Sequence, residues 1–253
     1  MNINDVNPEL KKYIETQIFP LYELNGESHG INHIQDVIRR TFEIVTEYME
    51  SEEYKNSNIA LNPNILYIVA AYHDIGDHID RKKHHIISGE IMCIDSNLDE
   101  FISVKEKQIA KEAIEDHRAS LDKHPRSIYG RIILTADRNN ELDVFFMRRI
   151  MYCLEKHPEY SVEEVQEEVY TSANKKFGKE GYAIDKDYMP SQKLSEYLKT
   201  IKELLLDKKR FNELVYKYYN AMMDNLNKGN DEEVQDDYGV VIGYSNTGEK
   251  KYE

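Results

Sequence analysis

The stretch Ile65-Leu66-Tyr67-Ile68-Val69-Ala70-Ala71-Tyr72-His73-Asp74-Ile75-Gly76-Asp77 decides how this chain is to be read. Its first eight residues are apolar without interruption. Asn62-Pro63 just before them offers a cap and a first-turn proline, so the run reads as a buried helix. The helix ends on an imidazole beside a carboxylate. A core excludes both groups unless something offsets their desolvation. A divalent cation does so, because it takes the ring nitrogen and the carboxylate oxygen as ligands and asks for two or three further donors.

Helical periodicity continues on both sides of this stretch. Residues 8–22 open at Pro8 and repeat Leu10, Ile14, Ile18 and Leu21. Residues 32–50 carry an apolar face of Ile34, Val37, Ile38, Ile44, Val45, Tyr48 and Met49. Further helices are predicted over 84–95, 103–117 and from Ser127 to Asp137. Ser161 with Glu164 forms a capping box for a helix reaching Phe177-Gly178, and 190–227 reads as one or two helices. Asn25 to Gly30 is a loop by composition. The chain is therefore expected to be all-α. The one exception is the acidic tail, where Val240-Val241-Ile242 and Ser245-Asn246-Thr247-Gly248 form either a small β-hairpin or a poorly structured end.

The bulk numbers narrow the function classes. Among 253 residues, 32% are charged and the net charge is −14, which disfavours general nucleic-acid binding. A local basic pocket for a small phosphorylated molecule is compatible with that charge. The two cysteines, Cys93 and Cys153, sit in apolar helical patterns and read as buried reduced thiols. The N-terminal residues carry neither a basic nor an apolar region, and no run approaches the roughly 18 residues of a membrane span. No membrane association and a cytoplasmic location are expected.

Donors to complete a metal cage sit at other helix ends. His33 opens one helix and Asp137 closes another. With His73 and Asp74 they make a four-donor nitrogen and oxygen set that suits manganese, iron, nickel, magnesium, cobalt or zinc. The order His33, His73-Asp74, Asp137, with Ile75-Gly76 after the pair, resembles the HD-domain superfamily of metal-dependent phosphohydrolases over roughly residues 25–140. The resemblance implies a helical bundle with one ion at its centre held by His33, His73, Asp74 and Asp137. It also implies hydrolysis of a phosphoester or phosphoanhydride, frequently in a nucleotide. On that reading residues 1–150 form the metal-binding core, 151–227 a helical extension packed on it, and 228–253 the acidic tail. The region from 150 onward is read as a cap or an oligomer surface, the latter compatible with a homodimer.

Two intervening histidines, His85 and His117, resemble in order those that bind a second ion in two-metal members of that superfamily, with Asp74 bridging. Contact with phosphate or water, or no role, stand as alternatives. Asp77, shortly after the pair, is a candidate proton acceptor, and His117 a second catalytic candidate. His29, Lys83, Arg118, Arg131 and Arg138 are candidate contacts to an anionic substrate, arginine being suited to bidentate phosphate binding. Tyr72 and Tyr129 are candidates for stacking on a base. No glycine-rich phosphate loop of the Walker type occurs. Two other readings stand beside hydrolysis: a non-catalytic metal- and nucleotide-binding regulatory module, and a di-iron oxygenase of the same architecture.

Overall fold

The computed structural model of the chain describes residues 1–25, 29–57, 59–138 and 140–228. Residues 26–28 of the expected loop and the hairpin expected at 240–248 lie outside them. The described chain is all-α: α1 (Pro8–Tyr13), α2 (Ile31–Glu50), α3 (Glu52–Lys55), α4 (Pro63–Tyr72), α5 (His84–Ile94), α6 (Val104–Asp116), α7 (Ile128–Ala136), α8 (Leu142–Lys156), α9 (Val162–Phe177), α10 (Gln192–Leu206) and α11 (Lys208–Lys228).

Helix α4 explains the centre of the helical bundle formed by residues 1–140. Asn62 accepts from the Asn64 amide at 2.9 Å and Pro63 occupies the first turn. Every residue from Ile65 to Tyr72 is buried, so this helix has no polar face to show water. Helices α2, α6 and α7 pack around it, and α5 packs on α6. Amphipathic α2 turns Ile34, Val37, Ile38 and Val45 inward. Helix α6 starts with a reciprocal capping box, in which Ser103 N–H donates to Glu106 Oε2 at 2.8 Å while Ser103 Oγ accepts from the Glu106 amide. Ser127 caps α7 by accepting from Gly130 N–H at 3.2 Å.

The N-terminal helix departs from the single element expected over 8–22. It stays α-helical only to Tyr13, widens to a π turn over Ile14–Ile18 and tightens to 3-10 over Phe19–Leu24. Pro20 is the physical reason: it has no N–H and its ring collides with the carbonyl four residues back, so the regular ladder cannot continue. Leu21 consequently leaves the apolar face and is exposed. Helix α8, absent from the expected elements, appears at 142–156.

The chain divides into two units. The first comprises residues 1–140 and 174–202, the second residues 141–173 and those from 203 onward. In the first, the 178–191 segment lies against the bundle. Met189 N–H donates to Thr135 Oγ1 at 2.8 Å and Lys186 Nζ donates to the Leu121 carbonyl at 2.8 Å. In the second, α8 packs with α11 through an aromatic core in which Phe146 stacks on Tyr218 and meets Phe211 edge-on. Among the described residues no helix is long and apolar enough to cross a membrane.

Candidate metal centre

Two overlapping groups of donor atoms form in the first unit. His33, His73, Asp74 and Asp137 present one atom each within 4.8 Å of one another, and so do Asp74, His84 and His117. Asp74 belongs to both. The donors come from the ends of five elements: the first turn of α2, the turn after α4, the first residue of α5, the residue after α6 and the residue after α7.

The backbone orients the rings. His73 Nδ1 lies 2.9 Å from the Ala70 carbonyl, His84 Nδ1 2.8 Å from the Arg81 carbonyl and His117 Nδ1 2.7 Å from the Ile114 carbonyl. A carbonyl only accepts, so each Nδ1 carries the proton and each Nε2 keeps its lone pair. Those lone pairs point into the cluster. His84 Nε2 is 3.2 Å and His117 Nε2 3.4 Å from Asp74 Oδ1, while His73 Nε2 is 3.4 Å from Asp74 Oδ2. His33 Nε2 stands 3.3 Å from Asp137 Oδ1.

This arrangement leaves polar atoms without partners. Among the described residues six buried side-chain nitrogens and oxygens make no hydrogen bond, and four of them are His33 Nε2, His73 Nε2, Asp74 Oδ1 and Asp77 Oδ1. An orphaned buried group costs about 1–3 kcal/mol, so four in one place would be a heavy penalty for a merely structural cluster. A divalent cation satisfies all of the ligand atoms together. Mixed imidazole and carboxylate donors, with rings held by their far nitrogens, fit such an ion.

Electrostatics point the same way. Burial pushes the His73 pKa down to about 4, so the ring is neutral and its lone pair available near neutrality. Burial opposes ionisation of Asp74, but the surrounding histidines, His73 foremost, hold its carboxyl well below the ordinary carboxylate range. Burial likewise opposes ionisation of Asp137, and the adjacent Arg138 guanidinium and His33 outweigh it. Burial would depress His33, yet Asp137 and Asp74 raise it overall.

The remaining candidates separate. His29 Nδ1 reaches Asp74 Oδ2 at 2.7 Å, and its Nε2 lies 3.2 Å from Arg81 Nη2, so it stands beside the cluster. Asp77 lies on the turn after α4 rather than on a helix. It is buried, with Oδ1 3.6 Å from His84 Nδ1. Arg138 pairs with the Asp137 carboxylate and donates to the Leu134 carbonyl at 3.2 Å. Arg118 donates to the Lys82 carbonyl and approaches His85 at 3.4 Å. Lys83 is exposed just ahead of α5. Arg131 is bound to Glu53 and Asp187, both at 3.0 Å, and not to the cluster.

One expected position moves by a residue. His84, not His85, joins Asp74 and His117, because the first residue of α5 turns its ring toward the end of α6. The His85 ring instead faces Arg118, and burial, helped by that guanidinium, lowers its pKa to about 4. Tyr72 and Tyr129 prove to be core rather than stacking platforms. Tyr72 is fully buried with its hydroxyl on Asp95, and the Tyr129 hydroxyl accepts from the Asn62 amide at 2.8 Å.

Three further residues support the cluster, two of them without any motif signal. Asn25 Nδ2 donates to the carbonyls of Asp74 and His29 at 3.0 and 3.1 Å, and its Oδ1 accepts from the His78 amide at 3.2 Å. Arg40 Nε donates to the Ala136 carbonyl at 2.7 Å, fixing the chain just before Asp137. Gly76 is required by close approach: a Cβ there would sit 2.8 Å from Ile87 Cγ2, and its N–H donates to Ser88 Oγ at 3.0 Å. Only the glycine was visible beforehand, as part of the run after the His-Asp pair.

No protein-family model, curated protein or solved structure matches this chain. The site therefore rests on its own geometry: a buried His/Asp cluster with the composition and spacing to hold a metal ion, compatible with a metal-dependent enzyme.

Proposed function

We propose that the chain is a metal-dependent phosphohydrolase of the HD-domain type, acting on a phosphoester or phosphoanhydride of a nucleotide or related small phosphorylated metabolite. The observation that carries this reading is the sharing of Asp74 between two donor groups, one of His33, His73 and Asp137, the other of His84 and His117. The first group would hold one ion and the second group another. A bound ion supplies Lewis acidity toward a phosphoryl oxygen and a water acidic enough to attack near neutral pH.

The chain's residues do the rest. Asp77 is buried with a free Oδ1 beside His84, a placement suited to taking a proton from the attacking water. Arg81, beside His29, and Arg118, beside His85, bring guanidinium donors near the cluster, where they would orient an anionic group. The basic loop Arg81-Lys82-Lys83 supplies local positive charge in a chain whose net charge is −14.

The test joins metal content to turnover. Purified protein is stripped with chelator, reloaded with each of manganese, iron, nickel, magnesium, cobalt and zinc, and assayed against phosphomonoesters, phosphodiesters and nucleoside polyphosphates. The expected result is metal-dependent phosphate release that His73→Ala with Asp74→Ala abolishes together with bound metal. Unchanged metal content in that double variant would overturn the site. Full metal binding without turnover on any phosphate substrate would overturn the reaction.

A further inference from the structure

A cavity of the first unit shares no lining residue with the His/Asp cluster. It is open to solvent and has a volume of about 640 Å³. Phe19, Ile38, Phe42 and Tyr67 form its apolar wall and are buried, and Ile3 adds to it from the N-terminus. A cavity of this size falls in the range that small molecules use, where apolar walls supply affinity and a few polar atoms fix orientation.

The polar atoms are unevenly matched. Arg39 bonds Glu43 at 2.8 Å and Asp36 at 3.2 Å, and Lys193 stands 3.6 Å from Glu43, so both cations of the rim already have a carboxylate. Glu15 and Glu47 line the same cavity and, among the described residues, join no ion pair. Tyr67 is 2% exposed, and its hydroxyl makes no hydrogen bond to any described residue. What little exposure the residue keeps lies at the cavity it lines, so the hydroxyl can take water or a ligand as its partner there. Glu15 lies near enough to the phenol to add to the effect of burial in raising its pKa, so the hydroxyl stays protonated near neutral pH.

We propose that this cavity is a binding site for a small amphiphilic amine. Its aromatic or alkyl body lies on Phe19, Ile38 and Phe42, and its protonated nitrogen donates to the Glu15 carboxylate and the Tyr67 hydroxyl oxygen. Glu47 adds negative potential at the rim. An anionic amphiphile of the same shape meets two uncompensated carboxylates and is rejected; a neutral one keeps the apolar contact and loses the ionic one. None of the lining residues belongs to the His/Asp groups, so the site stands or falls separately from the metal reading.

The experiment compares phenylbutylamine, phenylbutanol and phenylbutyrate on the full chain by saturation-transfer NMR and calorimetry. The amine is expected to bind about tenfold more tightly than the acid, with the alcohol between them. Tyr67→Phe weakens the amine about fivefold. Glu15→Gln, at an exposed position, removes the preference of amine over alcohol. Gln35→Trp, also exposed and at the cavity lining, blocks all three probes, and circular dichroism of each variant checks that it is folded. No saturable binding of any probe at millimolar concentration overturns the proposal. So do equal affinities for the three, or amine binding that ignores both the Glu15 and the Gln35 variants.

Discussion

His84 Nε2 and His117 Nε2 face each other at 3.0 Å while the opposite nitrogen of each ring is committed to a backbone carbonyl. Two lone pairs at that separation repel, and only a proton or a cation between them makes the contact favourable. His84→Ala and His117→Ala are each expected to lower bound metal by about one ion per chain, as the second half of a two-ion site. His85→Ala leaves the metal content unchanged. Elemental analysis of the three variants after identical loading checks this, and equal losses in the His84 and His85 variants would refute the assignment.

Removing the cation is expected to cost stability as well as activity. Free metal at a hundred times its dissociation constant stabilises the folded state by about 2.7 kcal/mol. For a chain of this size that corresponds to about 5–10 °C in melting temperature. Differential scanning calorimetry of chelated and reloaded protein measures it. The His73→Ala, Asp74→Ala double variant should show no such shift.

Asn25→Ala is expected to cost about 1–3 kcal/mol, since it strands the Asp74 and His29 carbonyls that its amide now satisfies. The same change should weaken metal binding, because the turn carrying Asp74 and the residue His29 lose their common tether. Urea unfolding of the chelated protein separates the first effect from the second, which is read by metal titration. A stability loss with unaltered metal affinity would confine Asn25 to a packing role.

Acid sensitivity should report on Asp95, whose carboxylate accepts from the hydroxyls of Tyr13 and Tyr72, both at 2.6 Å. Burial opposes its ionisation, but these two bonds prevail and its pKa lies below the ordinary 3.8. A carboxylate lowered on folding stabilises above its unfolded value, and that contribution drains away as pH falls through the lowered one. Wild type is therefore expected to lose stability progressively as pH falls below the ordinary carboxylate pKa, a loss that Asp95→Asn does not show, the half-exposed setting keeping it small. Denaturant midpoints across that range for both proteins decide it.

Much of this was written in the sequence, and the reasons are local. An unbroken apolar run before His73-Asp74, a proline after Asn62 and a Ser-x-x-Glu box at Ser103 act over one helical turn, so α4 and α6 follow from neighbouring residues. The four residues His33, His73, Asp74 and Asp137 stood out because each sits at the polar end of an apolar helix. Between His84 and His85 the chain offers no such signal. Adjacent residues on a helix start differ by about 100° in direction, and which one faces α6 is settled by packing. Asn25, Arg40 and the 178–191 segment act across long sequence distances through single hydrogen bonds, which leave no periodicity to read. Pro20 was legible in principle, but its effect, a widened turn over Ile14–Ile18, required knowing that the helix had to continue past it.

The donors span positions 33 to 137, and Asp74 sits between donors contributed from both sides of it. No shorter piece of the chain contains both groups. During synthesis the cluster can close only after Asp137 has cleared the ribosome, by which time α2, α4, α5, α6 and α7 have all been made. A nascent or truncated chain ending earlier would expose the apolar length of α4 without the part that completes its polar end. Chains truncated before residue 137 should therefore lose metal binding, whereas ribosome-bound chains are expected to become fully protease-resistant only once 174–202, the rest of the first unit, has also emerged.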